Sequence, residues 1–489
     1  MGKKNKNNDR SSDIKITTFH VDNEVTGSSF LVEVNGLKIL MDIGLYQNQS
    51  KRMETIYKIN EEKLNIPFNQ LDYIILTSSH ADHCCGLGIA GRKDVDFKGV
   101  CICTELSQEL IALNLYDSAY LMDTECEAYE KKHGKKINPL YTRYDVDNIM
   151  GILRGYRYNE KIYLNENTYV ELIPNGHLSG DCSIYLTYEK DEYTKKKLLY
   201  FGDHNYGKKY NKPFTKVWEE NNNLKPDCIL TESTYAGENQ IQEDNIKKLE
   251  TYIISEVIEK KNTLLIPSFA IHRSTELAYM LKVIWDRNEY IRNADIPIYM
   301  CGKMMSRAHK IIGNPQYKEF YDDEWKNQDD LFNWDKVRII DNFKEVQSKT
   351  VNQTAKIIIA SSGMFSGGYS KYLLSCYIGQ KNCSILFTGY QGFDTTGRKV
   401  LEQEHKSITI DGKQYMVRAT ILDRLHLSGH ADNKGLINIF DTINQHNLKK
   451  VIIIHGDDYK KEILKEQLDL KLNDNVEIIV PSSRQIIKI

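Results

Sequence analysis

Six short apolar runs along the chain each lead into a histidine or a carboxylate, most with a glycine beside it. Leu37 to Met41 ends at Asp42 with Gly44 following, and Tyr73 to Leu76 leads to His80, Asp82 and His83. Tyr169 to Ile173 passes through Gly176 to His177, and Leu198 to Phe201 through Gly202 to Asp203. Cys228 to Leu230 leads to Glu232, and Val451 to Ile454 ends at His455 and Gly456. Runs of this length and composition read as buried strands. Strands that all end in ionisable groups predict a sheet whose edge loops gather those groups, since loops carry chemistry on a rigid support.

Helical stretches lie between these strands. Thr104 to Lys132, Asn245 to Lys260 and Ser274 to Trp285 place apolar residues at helical spacing among good helix formers. Lys356 to Ala360 and Asn382 to Gly389 add buried strands, and Leu448 to Ile489 reads as strand, helix and strand. The mixture predicts an α/β architecture. At 489 residues, 41% of them hydrophobic, the chain is too long for one ordinary core and implies two domains or one large composite.

Composition excludes several classes. No apolar run reaches the roughly 18 residues of a membrane helix, so no membrane partner is expected. The start, Met1-Gly2-Lys3-Lys4-Asn5-Lys6, has neither an apolar secretory segment nor the Ser or Thr at position 6 of a myristoylation signal. Residues 1–13 read as a solvated polar tail. A net charge of −2 argues against a strongly basic nucleic-acid binder while leaving room for a local groove. The basic clusters Lys195-Lys196-Lys197 and Lys208 to Lys216 read as solvated loops. Ten cysteines without a CxxC pair predict free thiols in a reducing cytoplasm. His20, His133, His204, His272, His309, His405, His426 and His446 belong to no motif and read as structural.

The stretch Ser78-Ser79-His80-Ala81-Asp82-His83 resembles the H-x-H-x-D-H signature of the metallo-β-lactamase superfamily, with Ser78 at the first histidine position. Gly27 to Glu33 followed by Met41-Asp42-Ile43-Gly44 is similar to that superfamily's opening hairpin and first aspartate motif. Asn175-Gly176-His177-Leu178-Ser179-Gly180 and Phe201-Gly202-Asp203 resemble its third and fourth motifs. The narrower likeness is to the β-CASP branch of nucleic-acid-processing nucleases. It rests on Glu232-Ser233-Thr234-Tyr235, on Ile266 to Ala270 with Arg273 and Glu276, and on Ser361-Ser362-Gly363-Met364 with Gly389-Tyr390-Gln391. Leu427 to Asp432 around His430, and His455-Gly456, resemble two further β-CASP motifs. Pro139-Leu140-Tyr141-Thr142 with Asp145-Val146 resembles the subgroup of the pre-mRNA cleavage endonuclease and its prokaryotic relatives.

The resemblance implies a metallo-β-lactamase αββα sandwich with an inserted β-CASP α/β domain. The sandwich would comprise residues 14–208 and 426–489, and the insertion residues 209–425. It further implies two zinc ions: one on His80 and His177, the other on Asp82, His83 and His455, with Asp203 bridging. Asp42 would orient a ligand, His430 supported by Glu232 would protonate the leaving oxygen, and Ser362, Gly363 and Met364 would hold phosphate. The implied reaction is zinc-dependent hydrolysis of RNA by a metal-bound hydroxide, endonucleolytic with room for a 5′-exonuclease activity. Single-stranded RNA rather than DNA is the expected substrate, with a homodimer or a processing-complex partner both open. Ser78 is a poor zinc ligand, which leaves His80, His177 and Asp203 for the first ion. Two other readings stay open: a catalytically impaired RNA-processing subunit, and a hydrolase of a small ester, thioester or lactam.

Overall fold

The computed structural model describes residues 13–19, 27–48, 51–207, 214–218, 223–240, 244–323, 325–326, 334–350, 355–392, 395–402 and 406–489. The polar tail up to residue 12, His20, His405, Lys208 to Lys212 and the expected boundary at 208/209 lie outside them.

Among the described residues two seven-stranded sheets face one another. The first runs in spatial order Ile486–Lys488, Ile14–Thr18, Phe30–Val34, Leu37–Met41, Tyr73–Ile75, Val100–Thr104 and Leu153–Tyr156. Its first four strands pair antiparallel and the remainder parallel. The second runs Glu477–Ile479, Lys450–Ile453, Cys228–Thr231, Lys195–Tyr200, Cys182–Glu189, Thr168–Pro174 and Lys161–Asn165. The last segment of the chain thus returns to both sheets.

Strand alternation builds the layers. Ile39, Met41 and Ile75 meet Leu172, Leu186, Leu198 and Ile452 between the sheets. Leu40, Ile74 and Cys101, on the opposite face, pack on Ile111, Leu115 and Ala119 of the helix Glu105–His133. Leu199, Ile229 and Ile453 cover the other outer face under Leu436, Leu464 and Leu468 of the helices Asn433–Asn438 and Asp458–Lys471. The result is an αββα sandwich. All six apolar runs of the sequence are strands here, divided between the two sheets rather than lining one.

A third sheet of six strands, Val337–Ile340, Ile298–Cys301, Lys356–Ala360, Thr263–Pro267, Cys383–Ile385 and Thr420–Ile421, is parallel throughout. Burial on both faces accounts for its uninterrupted apolar runs. Leu264, Ile266 and Ile357 face the helix Arg273–Arg287, while Leu265, Ile358 and Ala360 face Leu373 and Leu374 of the helix Gly368–Tyr377. The long helix Glu105–His133 joins this unit to the sandwich, because a second stripe, Leu106, Leu110 and Leu113, enters the third sheet's core. Thr104 caps its start by accepting from the Ser107 amide, and Gly134 at φ 64° ends it.

The stretch from Asn245 is helical as expected, but its second half, Ile253–Glu259, is wound as a π-helix. No 3.6-residue pattern announces that change of hydrogen-bond register.

Candidate active site

The loops after Leu37–Met41 and Tyr73–Ile75 are locked together through the backbone. The Ile43 amide donates to the His83 carbonyl at 2.8 Å, Leu45 to Ala81 at 3.2 Å, and Ser28 to Asp82 at 2.9 Å. Gly44 is required by this contact, since a Cβ there would lie 1.6 Å from the Asp82 carbonyl oxygen. The sequence therefore fixes His80, Asp82 and His83 against Asp42 before any side chain takes part.

Asp42, at φ 57°, is fully buried. Its Oδ1 accepts from the Thr77 amide at 2.7 Å; its Oδ2 accepts from Thr77 Oγ1 at 2.7 Å and Tyr200 OH at 2.6 Å. The same Oδ2 takes the Nδ1 proton of His83 at 2.8 Å, which turns His83 Nε2 toward Asp203 Oδ2, 3.0 Å away. Asp42 orients a neighbouring imidazole, as a carboxylate behind a metal-binding histidine does.

Asp203 sits at the hub. His455 Nε2 lies 3.3 Å from its Oδ1, while His177 Nδ1 and His430 Nε2 both lie 3.8 Å from its Oδ2. Burial opposes its charge, yet His455, His83 and His430 together hold its carboxyl well below the usual range. His83 shows the complement: burial works against the imidazolium, but Asp203, Asp42 and Asp82 hold it well above an ordinary histidine. His455, at φ 43°, is steadied by Ser28 Oγ, 3.0 Å from its Nδ1.

The donor atoms form two groups, each within a 4.8 Å span: Asp82, His83, Asp203 and His455, and then His177, Asp203 and His430. His80 enters neither group; its ring stands edge-on 5.6 Å from that of His177. Among the described residues His83 Nε2 and Asp203 Oδ1 are buried without a hydrogen-bond partner, although each has an oppositely charged neighbour. Buried imidazoles and carboxylates crowded with unused lone pairs are the donor set that zinc favours.

His430 stands apart in its partners. Its Nδ1 faces both Glu232 oxygens, at 3.0 and 2.8 Å. Burial lowers and Glu232 with Asp203 raise its affinity for a proton, and the balance leaves it at about 9. Glu232 is fully buried and also accepts from the His204 amide at 2.9 Å. Ser362, Gly363 and Met364 lie in the loop after Lys356–Ala360, where Gln391 Nε2 donates to the Gly363 carbonyl and the Gly397 amide to that of Met364.

Two residues without a sequence motif reach this region. His272, buried at φ 62° in the loop after Thr263–Pro267, lies with its Nε2 3.4 Å from Ser79 Oγ and its ring 6.0 Å from that of His80. A positive φ at a buried non-glycine residue is a strained choice that tends to accompany function. Asp181 accepts from Ser78 Oγ at 2.9 Å, and burial pushes its carboxyl up to about 8 against the pull of that hydrogen bond. The only sequence signal for Asp181 is its place directly after the His177 loop. The contacts of His272 set the C-terminal edge of the third sheet against the His80 loop.

Fold and donor set together define a metallo-hydrolase sandwich with an inserted α/β unit. Residues 274–400 match the Beta-Casp domain, and residues 414–481 match the Zn-dependent metallo-hydrolase RNA specificity domain. Integrator complex subunit 11 of Gallus gallus is 23% identical over 478 residues, covering 95% of this chain and 72% of that protein. Probable RNase MJ4 of Methanocaldococcus jannaschii is 28% identical over 453 residues, covering 90% and 93%. A crystal structure of a protein of unknown function from Enterococcus faecalis V583 shares the fold at a TM-score of 0.56 and 12% identity, over 97% of this chain and 100% of that one. These matches support the β-CASP family of the metallo-β-lactamase fold.

Proposed function

We propose that this chain is a zinc-dependent ribonuclease that hydrolyses phosphodiester bonds within single-stranded RNA. The observation that carries this reading is Asp203 facing four imidazoles, with Asp82 beside them. Asp82, His83, His455 and Asp203 would hold one ion; His80, His177 and Asp203 would belong to the other. Such a pair supplies an activated water and neutralises charge on the phosphate oxygens. His430, charged at neutral pH and steadied by Glu232, is placed to protonate the leaving ribose oxygen. Glu232 keeps the Nδ1 side of that ring occupied, so the proton to be transferred is the one on Nε2.

The half-exposed Phe269 and Tyr390, on loops of the third sheet, offer ring faces on which bases can stack. Amides of the Ser362–Met364 loop would hold the phosphate backbone between them. RNA rather than DNA follows the matched RNA specificity domain and the relatives' names. All ten cysteines are unpaired, which suits a cytoplasmic enzyme, and no described helix is long and apolar enough to cross a membrane. A processing-complex partner is suggested by the subunit names of the relatives, among them cleavage and polyadenylation specificity factor 73 of Drosophila melanogaster, 23% identical over 459 residues, covering 94% of this chain and 62% of that protein.

The test is cleavage of end-labelled RNA and DNA strands of matched sequence by the purified full chain, with and without a chelator. Internal cuts in RNA that the chelator stops are expected, with DNA cut far more slowly. A zinc-loaded protein that leaves RNA intact would instead support an impaired processing subunit.

Asp42→Asn gives a second expected result. The amide group cannot accept from Thr77, Tyr200 and His83 as the carboxylate does. Zinc affinity, read by chelator competition, should fall about 10- to 100-fold.

A further inference from the structure

Ser78 occupies the position where the family resemblance calls for an imidazole, and its surroundings are not those of a simple loss. Its Oγ donates to Asp181 Oδ2 at 2.9 Å, so hydroxyl and hydrogen bond together reach about as far from the backbone as an imidazole would. Asp181 is 1% exposed, and its Oδ1 is buried with no hydrogen-bond partner among the described residues. The residue is rigidly mounted on the loop that carries His177. Its amide donates to the Leu178 carbonyl at 3.1 Å, and its carbonyl accepts from Tyr158 OH at 2.9 Å. The preceding Gly180 carbonyl accepts from Thr104 Oγ1 at 2.6 Å and Ser107 Oγ at 2.8 Å. After burial, the groups that act most on the carboxyl are the Ser78 hydroxyl, His83, Asp203 and the Ser79 amide.

A buried carboxylate with an unused oxygen, next to a second carboxylate, is costly unless a cation accompanies it. A proton on Oδ2, donated to Ser78 Oγ, would cancel the charge but leave Oδ1 a buried acceptor without a donor, whereas a divalent cation would answer both.

We infer that Asp181 replaces the missing imidazole as an oxygen ligand of the first zinc, beside His80, His177 and Asp203. The inference rests on the two-zinc reading above. It makes Ser78 a spacer that holds the new ligand in place, and the site complete.

The experiment is zinc stoichiometry by elemental analysis on dialysed full-length protein, paired with the visible spectrum of the cobalt-substituted form. Wild type is expected to hold about two ions per chain and Asp181→Ala about one, with loss of one of the two cobalt environments. Asp181→Asn keeps the side chain's shape and should also weaken the first site, which covers the case of an alanine variant that does not fold. Ser78→His combined with Asp181→Ala should restore the second ion, because the imidazole then has the space that the carboxylate vacates. An Asp181→Asn protein with the wild-type zinc count and cobalt spectrum overturns the inference alone. A wild-type chain that binds no zinc removes the two-zinc reading and the inference with it.

Discussion

Asp203→Ala is expected to lower RNA cleavage by at least about 10³-fold, the consequence of removing several kcal/mol of transition-state charge stabilisation. Asp203 is the only carboxylate that both donor groups share. Without it His83 Nε2 loses its partner at 3.0 Å and His455 Nε2 its partner at 3.3 Å, so four imidazoles face one another with no common counter-charge. Bound zinc should fall along with the rate. Asp203→Asn separates charge from shape: the amide fills the same volume but offers one acceptor oxygen and no charge, so it should lose nearly as much as alanine. Both are checked by single-turnover cleavage and elemental analysis. Either variant retaining a tenth of wild-type cleavage would remove Asp203 from the centre of the site.

How much of this was legible in the sequence depends on what each residue signals locally. Asp42, His83, His177, Asp203, Glu232 and His455 follow apolar runs whose period and length mark them as strands, and every such run is a strand. What the runs do not carry is partnership. Leu37–Met41 and Tyr73–Ile75 lie in one sheet and the other four in the facing one, a division that depends on pairings between distant segments. His272 carries no period or neighbour in the sequence that links it to Ser79, which lies 193 residues away. Its positive φ exists only once the strand Thr263–Pro267 and the helix Arg273–Arg287 are both in place. Asp181 was silent for a different reason. A single acid after a glycine matches any turn, and only the folded contact with Ser78 ties it to the position where the histidine is missing.

His430 carries the other large effect, and geometry alone leaves it two roles. Its Nε2 lies with His177 and Asp203 donor atoms inside a 4.8 Å span, so it could be a metal ligand; its Nδ1 faces Glu232 at 2.8 Å, so it could be a proton donor. The Glu232 contact favours the second role: both of its oxygens face Nδ1, and although burial disfavours the imidazolium, Glu232 and Asp203 outweigh it and leave the ring at about 9. His430→Ala should therefore cost about 10²- to 10⁴-fold in RNA cleavage, the usual worth of a positioned acid, with the zinc count unchanged. The defect should shrink on a phosphodiester with a nitrophenolate leaving group, because that oxygen departs without being protonated. Glu232→Gln should cost less than His430→Ala, since the imidazole remains but loses the partner that keeps it charged and oriented. If His430→Ala instead lost a zinc ion and was equally slow on both substrates, the histidine would be a ligand and the proton would have to come from another group.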